Sequence, residues 1–234
     1  MGVNDFVLVQ GMNDTRSTLR RWNASPWPVV RTWVTGSVFV AASMLLGVLV
    51  VASLAIPDPT PLWIPGLSGP VELDNVGAIL FRNSLVLALH AFACVAGFIA
   101  GASLPLQAER HTGLSRWVHE KARPIALGWV IAVTCFSLTT QTYILGSEGS
   151  TLAGQLDISA GTLVISVIPH ALPELVALFL PLAAWTFASR RNEWNQLLAA
   201  TFATTAIAIP VLFVSASWEA YVWPQILERV SPIA

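Results

Sequence analysis

Charge is what this chain has least of. Of its 234 residues only 11% are Asp, Glu, Lys or Arg, and Lys121 is its single lysine. Soluble domains carry about twice that share, so the composition excludes an ordinary water-soluble globule. The formal net charge of -1 leaves no cationic field for nucleic acid, and none is expected as a partner. Cysteine is equally scarce. Cys94 and Cys135 both fall in apolar windows without disulfide or metal spacing, and are read as packing residues. No GxSxG elbow, phosphate-cradling loop or nucleotide motif occurs, so no catalytic residue, metal or cofactor is assigned. Repeats and low-complexity tracts are missing too, and no polar stretch is large enough to fold alone. Function must therefore sit in the apolar part of the chain or its short loops.

That apolar part is extensive. Hydrophobic residues make up 55% of the chain, and mean hydropathy is +0.67. Uncharged windows recur at residues 32–57, 83–108, 124–147, 158–173 and 194–218. The longer ones exceed the roughly 20 residues an α-helix needs to cross the hydrocarbon core. The fold class is accordingly an all-α polytopic membrane protein with about five transmembrane helices, embedded in a lipid bilayer. Spans are expected near 32–56, 74–104, 125–146, 160–189 and 196–222. The first is taken as an anchor rather than a cleaved signal, because its apolar run is too long and thirty residues precede it. This divides the chain into a polar arm (1–31), a membrane domain (32–227) and a short tail (228–234). Residues 57–75 are rich in Pro and Gly and read as a loop, as does 147–159.

Lys and Arg fix the expected orientation. With the N-terminus inside, Arg16, Arg20, Arg21, Arg31, Arg110, Arg116, Lys121, Arg123, Arg190 and Arg191 are cytoplasmic. Arg229 alone falls outside, and Arg82 lies within a span. The C-terminus is then external.

Ionisable groups inside spans cost roughly 2.5–3.5 kcal/mol each on insertion scales, so they normally face a partner. Arg82, His90, His170, Glu174 and Glu219, with the amide Gln141, need such an account. At about 1.5 Å of rise per residue, His90, His170 and Glu174 come to similar depth near the bilayer centre, with Glu174 expected beside His90. Arg82, Glu219 and Gln141 come to an outer layer, where an Arg82 to Glu219 ion pair assisted by Gln141 would pin two helices together. Pro169 and Pro173 bracket His170 and lack amide protons, so the fourth segment is expected to be kinked or broken, its freed carbonyls satisfied by imidazole. Burial favours a neutral Glu174 that donates a hydrogen bond. Two chemistries follow from the same residues: an internally satisfied structural lock, or a transport or proton-relay layer. His170 and Glu174 lack the second histidine of a zinc-protease helix. Gly97 and Gly101 form a GxxxG pattern, which suits close packing within the fold or between protomers of a homo-oligomer.

Three stretches resemble the stage II sporulation protein M family of bacterial membrane proteins. They are Phe81-Arg82-Asn83-Ser84 followed by Phe92 and Gly97, Pro169-His170 through Glu174-Leu175, and Trp218-Glu219-Ala220-Tyr221-Val222-Trp223-Pro224. They span residues 81–224 in the family's order. Ala171 stands where the family usually has glycine, and Pro173 replaces an aliphatic residue, as in a divergent branch. The resemblance implies a five-span protein of the bacterial inner membrane without catalytic activity, a scaffold or complex subunit that binds other membrane or envelope proteins. It adds Asn83 to the intramembrane polar group.

Overall fold

The computed structural model describes residues 7–103 and 112–233. Among them are seven α-helices and no strand. α1 is Val7–Ala24, α2 Pro26–Leu54 and α3 Leu73–Phe98, continued by a π-helical turn, Ile99–Ser103. α4 is Gly113–Gln155, α5 Ala160–Arg191, α6 Leu197–Tyr221 after a 3-10 turn at Trp194–Gln196, and α7 Trp223–Val230. Five stretches are long and apolar enough to cross a membrane: Pro26–Leu54, Leu73–Ala102, Leu127–Gln155, Ala160–Arg191 and Trp194–Tyr221. Each overlaps one of the charge-free windows. The chain is an all-α polytopic membrane protein.

Contacts divide the chain into two compact units, and the division cuts all five long helices. The first is built from Met1–Ser37, Leu87–Thr134 and Phe179–Ile207; the second from Val38–Val86, Cys135–Leu178 and Ala208–Ala234.

In the first unit, Trp33 packs with Leu180, Ala183, Ala184 and Ala200, and its ring meets Trp22 edge-on at 5.1 Å. A second cluster joins Cys94, Phe98, Trp185, Ala188, Trp194 and Leu197. The expected polar arm is a helix here. α1 buries Thr18, and Gly11 sits so close to Phe98 and Leu198 that a Cβ would lie 2.9 and 3.3 Å from them. Its polar sequence hides this, because few of its positions face the body of the unit. Pro26 opens α2 directly afterwards, a position where a missing N–H costs nothing.

In the second unit, the expected exit loop after Gly146 departs from the sequence reading. Residues 147–155 continue α4 without a break. No proline interrupts them, and their polar side chains are used on the 55–72 loop. Ser150 Oγ donates to the Ala55 carbonyl at 2.8 Å, and Thr151 Oγ1 accepts from Asp58 N at 3.0 Å. Gln155 accepts from Leu62 N at 3.1 Å and donates to the Thr60 carbonyl at 2.8 Å. Glutamine thus pairs with backbone the way a strand would. Within the loop, Thr60 donates to Asp58 and holds its carboxyl below the usual carboxylate range. That contribution is present above the unfolded Asp value and lost as pH falls through the lowered one. A turn at Gly66, whose φ of +87° suits glycine, presses on Pro224.

The C-terminal residues are helical as well. α7 runs to Val230, buries Leu227 among Leu152, Ala153, Leu156 and Leu163, and ends where Ser231 Oγ donates to the Leu156 carbonyl at 2.7 Å.

Candidate intramembrane polar site

The fourth long helix resolves the proline question. α5 is continuous from Ala160 to Arg191, so the segment is not broken. Pro169 and Pro173 occupy exposed positions on it, while His170 between them is buried. The prolines therefore turn their rings outward, and the polar residues of the same turns point into the second unit. This is the 3.6-residue period at work: His170 and Glu174, four apart, share one face.

Facing them is α3. Arg82 Nη2 lies 3.8 Å from Glu219 Oε1, which joins α3 to α6 as the depth arithmetic anticipates. Arg82 is 65% exposed and Glu219 22% exposed, so the carboxylate is the more enclosed partner. Asn83, the neighbour of Arg82, is buried and faces the Glu174 carboxyl. Glu219 and Arg82 also lie near the Glu174 carboxyl. Arg82, Asn83, Glu174 and Glu219 thus form one group on three helices of the second unit.

One expected member is paired elsewhere. Gln141 does not assist the ion pair: its Nε2 donates to Ser137 Oγ at 2.8 Å, one turn back on α4. A local acceptor at i−4 outcompeted the distant pair, which depth alone could not reveal. His90 belongs to the first unit, where it is fully buried and edge-on to Phe179 at 5.4 Å. His170 instead stacks at a tilt on Trp223, 5.5 Å between ring centres. Trp223 Nε1 in turn donates to Ser166 Oγ at 3.0 Å, and Ser166 Oγ donates to the Leu163 carbonyl at 2.7 Å. The sequence reading missed Ser166 in this chain. Its spacing from His170 by one helical turn was the available signal. His170 Nδ1 makes no hydrogen bond to protein, so it does not serve the carbonyls freed by the prolines.

Gly97 and Gly101 lie in the first unit and are filled by tryptophan rather than by a bare helix backbone. A Cβ on Gly97 would come 2.7 Å from Trp185 Nε1 and 2.8 Å from Leu197 Cδ1; one on Gly101 would collide with the Trp194 indole. Within-fold packing is therefore a use of this motif. Nearby, Cys94 Sγ donates to the Pro181 carbonyl at 3.1 Å, consistent with a packing role.

Among the described residues, no group of three or more His, Cys, Asp or Glu side chains is placed to hold a metal ion. Three sealed polar atoms of the second unit have no hydrogen-bond partner in the protein: Asn83 Nδ2, His170 Nδ1 and Glu174 Oε2. Compared with known proteins, the chain matches no family model, no curated protein and no solved structure. What fold and site define is thus a class: an integral membrane protein with an ion pair and a carboxyl, amide and imidazole inside its bundle.

Proposed function

We propose that this chain is a non-enzymatic scaffold or complex subunit of the bacterial cell envelope, similar to stage II sporulation protein M. One observation carries the proposal. The Arg82 to Glu219 pair spends the only intramembrane cation of the second unit on tying α3 to α6, which is the work of a fixed frame rather than of a passage. Supporting it, the loop 55–72 is clamped to α4 by side-chain hydrogen bonds, and Ser231, just past α7, bonds the Leu156 carbonyl just past α4. Long apolar helix faces are available to lipid and to other membrane proteins. Exposed Phe39, Phe81, Phe92, Phe136 and Phe213 supply such faces on four helices.

The second reading is a transporter or channel component, and the unpartnered atoms of Asn83, His170 and Glu174 favour it. Affinity capture of the full chain from native membranes in mild detergent, followed by quantitative mass spectrometry, separates the two. A scaffold retains a membrane or envelope protein in fixed ratio. Recovery of the chain alone, together with ion or solute flux in proteoliposomes, would reject the scaffold reading.

A further inference from the structure

α1 has a polar sequence, yet it is held at two points against the first unit. A Cβ on Gly11 would lie 2.9 Å from Phe98, where α3 finishes, and 3.3 Å from Leu198, where α6 begins. About three turns later along α1, Trp22 meets Trp33 edge-on near the start of α2. Gly11 and Thr18 are buried and Thr15 and Trp22 half-buried, which makes one helical face; Met12, Arg16 and Arg20 are exposed on the other. The residues that α1 touches lie near the ends of spans: Phe98 in Leu73–Ala102, Leu198 in Trp194–Tyr221 and Trp33 in Pro26–Leu54. α1 is thus a surface helix at the level where spans leave the hydrocarbon.

Arginine gathers at the same end of the unit. Arg31 is in the second turn of its span, and Arg190 and Arg191 close the span Ala160–Arg191. The Arg191 guanidinium lies 5.9 Å over the Phe187 ring, and Phe187 and Trp22 both pack against the cluster of Trp33. Residues 7–37 and 187–196 therefore carry Arg16, Arg20, Arg21, Arg31, Arg190 and Arg191 against two carboxylates, Asp14 and Glu193. Arg21 donates to Thr18 Oγ1 at 3.3 Å. Among the described residues none of the six arginines is in an ion pair, the one pair being Arg82 with Glu219. A positive surplus is left on an exposed surface at headgroup depth.

We propose that the outer face of α1, the first turns of α2 and the end of α5 form a docking surface for anionic phospholipid headgroups of the bilayer that the chain spans. Charge complementarity selects a headgroup with net negative charge, since a zwitterionic one brings its own cation and gains little from an unpaired arginine. Trp27 selects lipid over an acidic soluble partner. It is 70% exposed beside the first turn of a span, with exposed Arg31 four residues on along the same face of α2. An indole in that place sits at headgroup level, and a guanidinium next to it binds a phosphodiester through two parallel N–H groups. Met12, 71% exposed and four residues before Arg16, repeats the pairing of apolar side chain and arginine on α1. The surface does not depend on the scaffold reading.

Native mass spectrometry of the full chain, released from nanodiscs of equimolar phosphatidylglycerol and phosphatidylcholine, tests it. The wild-type protein retains phosphatidylglycerol in excess, and washing the nanodiscs with high salt before release lowers that excess. Arg16→Gln combined with Arg20→Gln lowers it at least about three-fold, within the ceiling of roughly five-fold per arginine at a charged surface. Adding Arg31→Gln and Arg190→Gln brings the two lipids to parity, whereas lysine at the same four positions keeps most of the excess. Arg229→Gln, in the last turn of α7 in the second unit, leaves it unchanged. Equal retention of the two lipids by the wild type, an excess that survives the four glutamines, or one lost as fully in Arg229→Gln would each overturn the proposal. So would an acidic soluble protein that co-purifies through these arginines and displaces the lipid. If the glutamine variants do not fold, the wild-type salt series decides, and an excess indifferent to salt rejects the surface.

Discussion

Arg82→Met is expected to lower the detergent melting temperature more than Glu219→Leu, and the double variant to recover part of the loss. The asymmetry follows from burial. Glu219 is 22% exposed against 65% for Arg82, so removing the arginine strands the more enclosed group. It also removes the one cation that lies near both Glu219 and Glu174. Removing Glu219 instead leaves an arginine with a long stem, able to reach toward polar headgroups and close to a second carboxyl. Breaking a buried pair costs about 3–5 kcal/mol, and the exposed side of Arg82 places Arg82→Met at about 2–4 kcal/mol. Replacing both partners by apolar residues is often tolerated. Thermal unfolding of the two single variants and the double variant gives the coupling directly. Strict additivity, or a larger effect for Glu219→Leu, would break the account of the ion pair.

The other large effect belongs to the first unit. Gly101→Leu should prevent its folding, and Gly97→Leu should do nearly as much, because each added side chain would occupy the volume of a tryptophan ring. Alanine at either position should cost about 1–3 kcal/mol, the usual range for overpacking. Gly77 and Gly128 serve as controls: nothing lies within 4 Å of a Cβ built on either. Alanine there should be neutral or stabilising by up to about 1 kcal/mol through helix propensity. Trp194→Leu should partly rescue Gly101→Ala. Melting curves and gel filtration read the outcome. If Gly101→Leu folds normally and only alters oligomeric state, then the motif serves association between protomers instead.

The parts of this fold written locally were legible in the sequence. Five spans follow from charge-free windows, because each excluded charge would cost more than a helix can afford in lipid. The Arg82 to Glu219 pair followed from depth alone, since rise per residue converts sequence position into height. Height says nothing about azimuth, and that is where the reading failed for Gln141, which turned to Ser137 on its own helix. Within the second unit, the surroundings of Glu174 were only partly foreseen. The groups facing it are Asn83, Arg82 and Glu219, which share its unit. Polar segments were the other blind spot. α1 and residues 147–155 have loop-like composition, yet Thr18 is buried and Gln155 bonds the backbone at two points. Their structure is set by the partners they meet, which local periodicity does not encode.

Glu174 offers the most direct test of whether the intramembrane polar group is a structural lock. The measurement is a melting curve and the yield of co-purified partner for Glu174→Gln and Glu174→Ala, together with the ability of each to restore a deletion strain. Glutamine keeps the size and the donor toward its surroundings, so Glu174→Gln should melt, assemble and complement like wild type. Glu174→Ala removes the group that Asn83 faces and should lower both the melting temperature and the yield. A Glu174→Gln protein that melts and assembles normally yet fails to complement would contradict the account, and would assign proton release at Glu174 to the protein's activity.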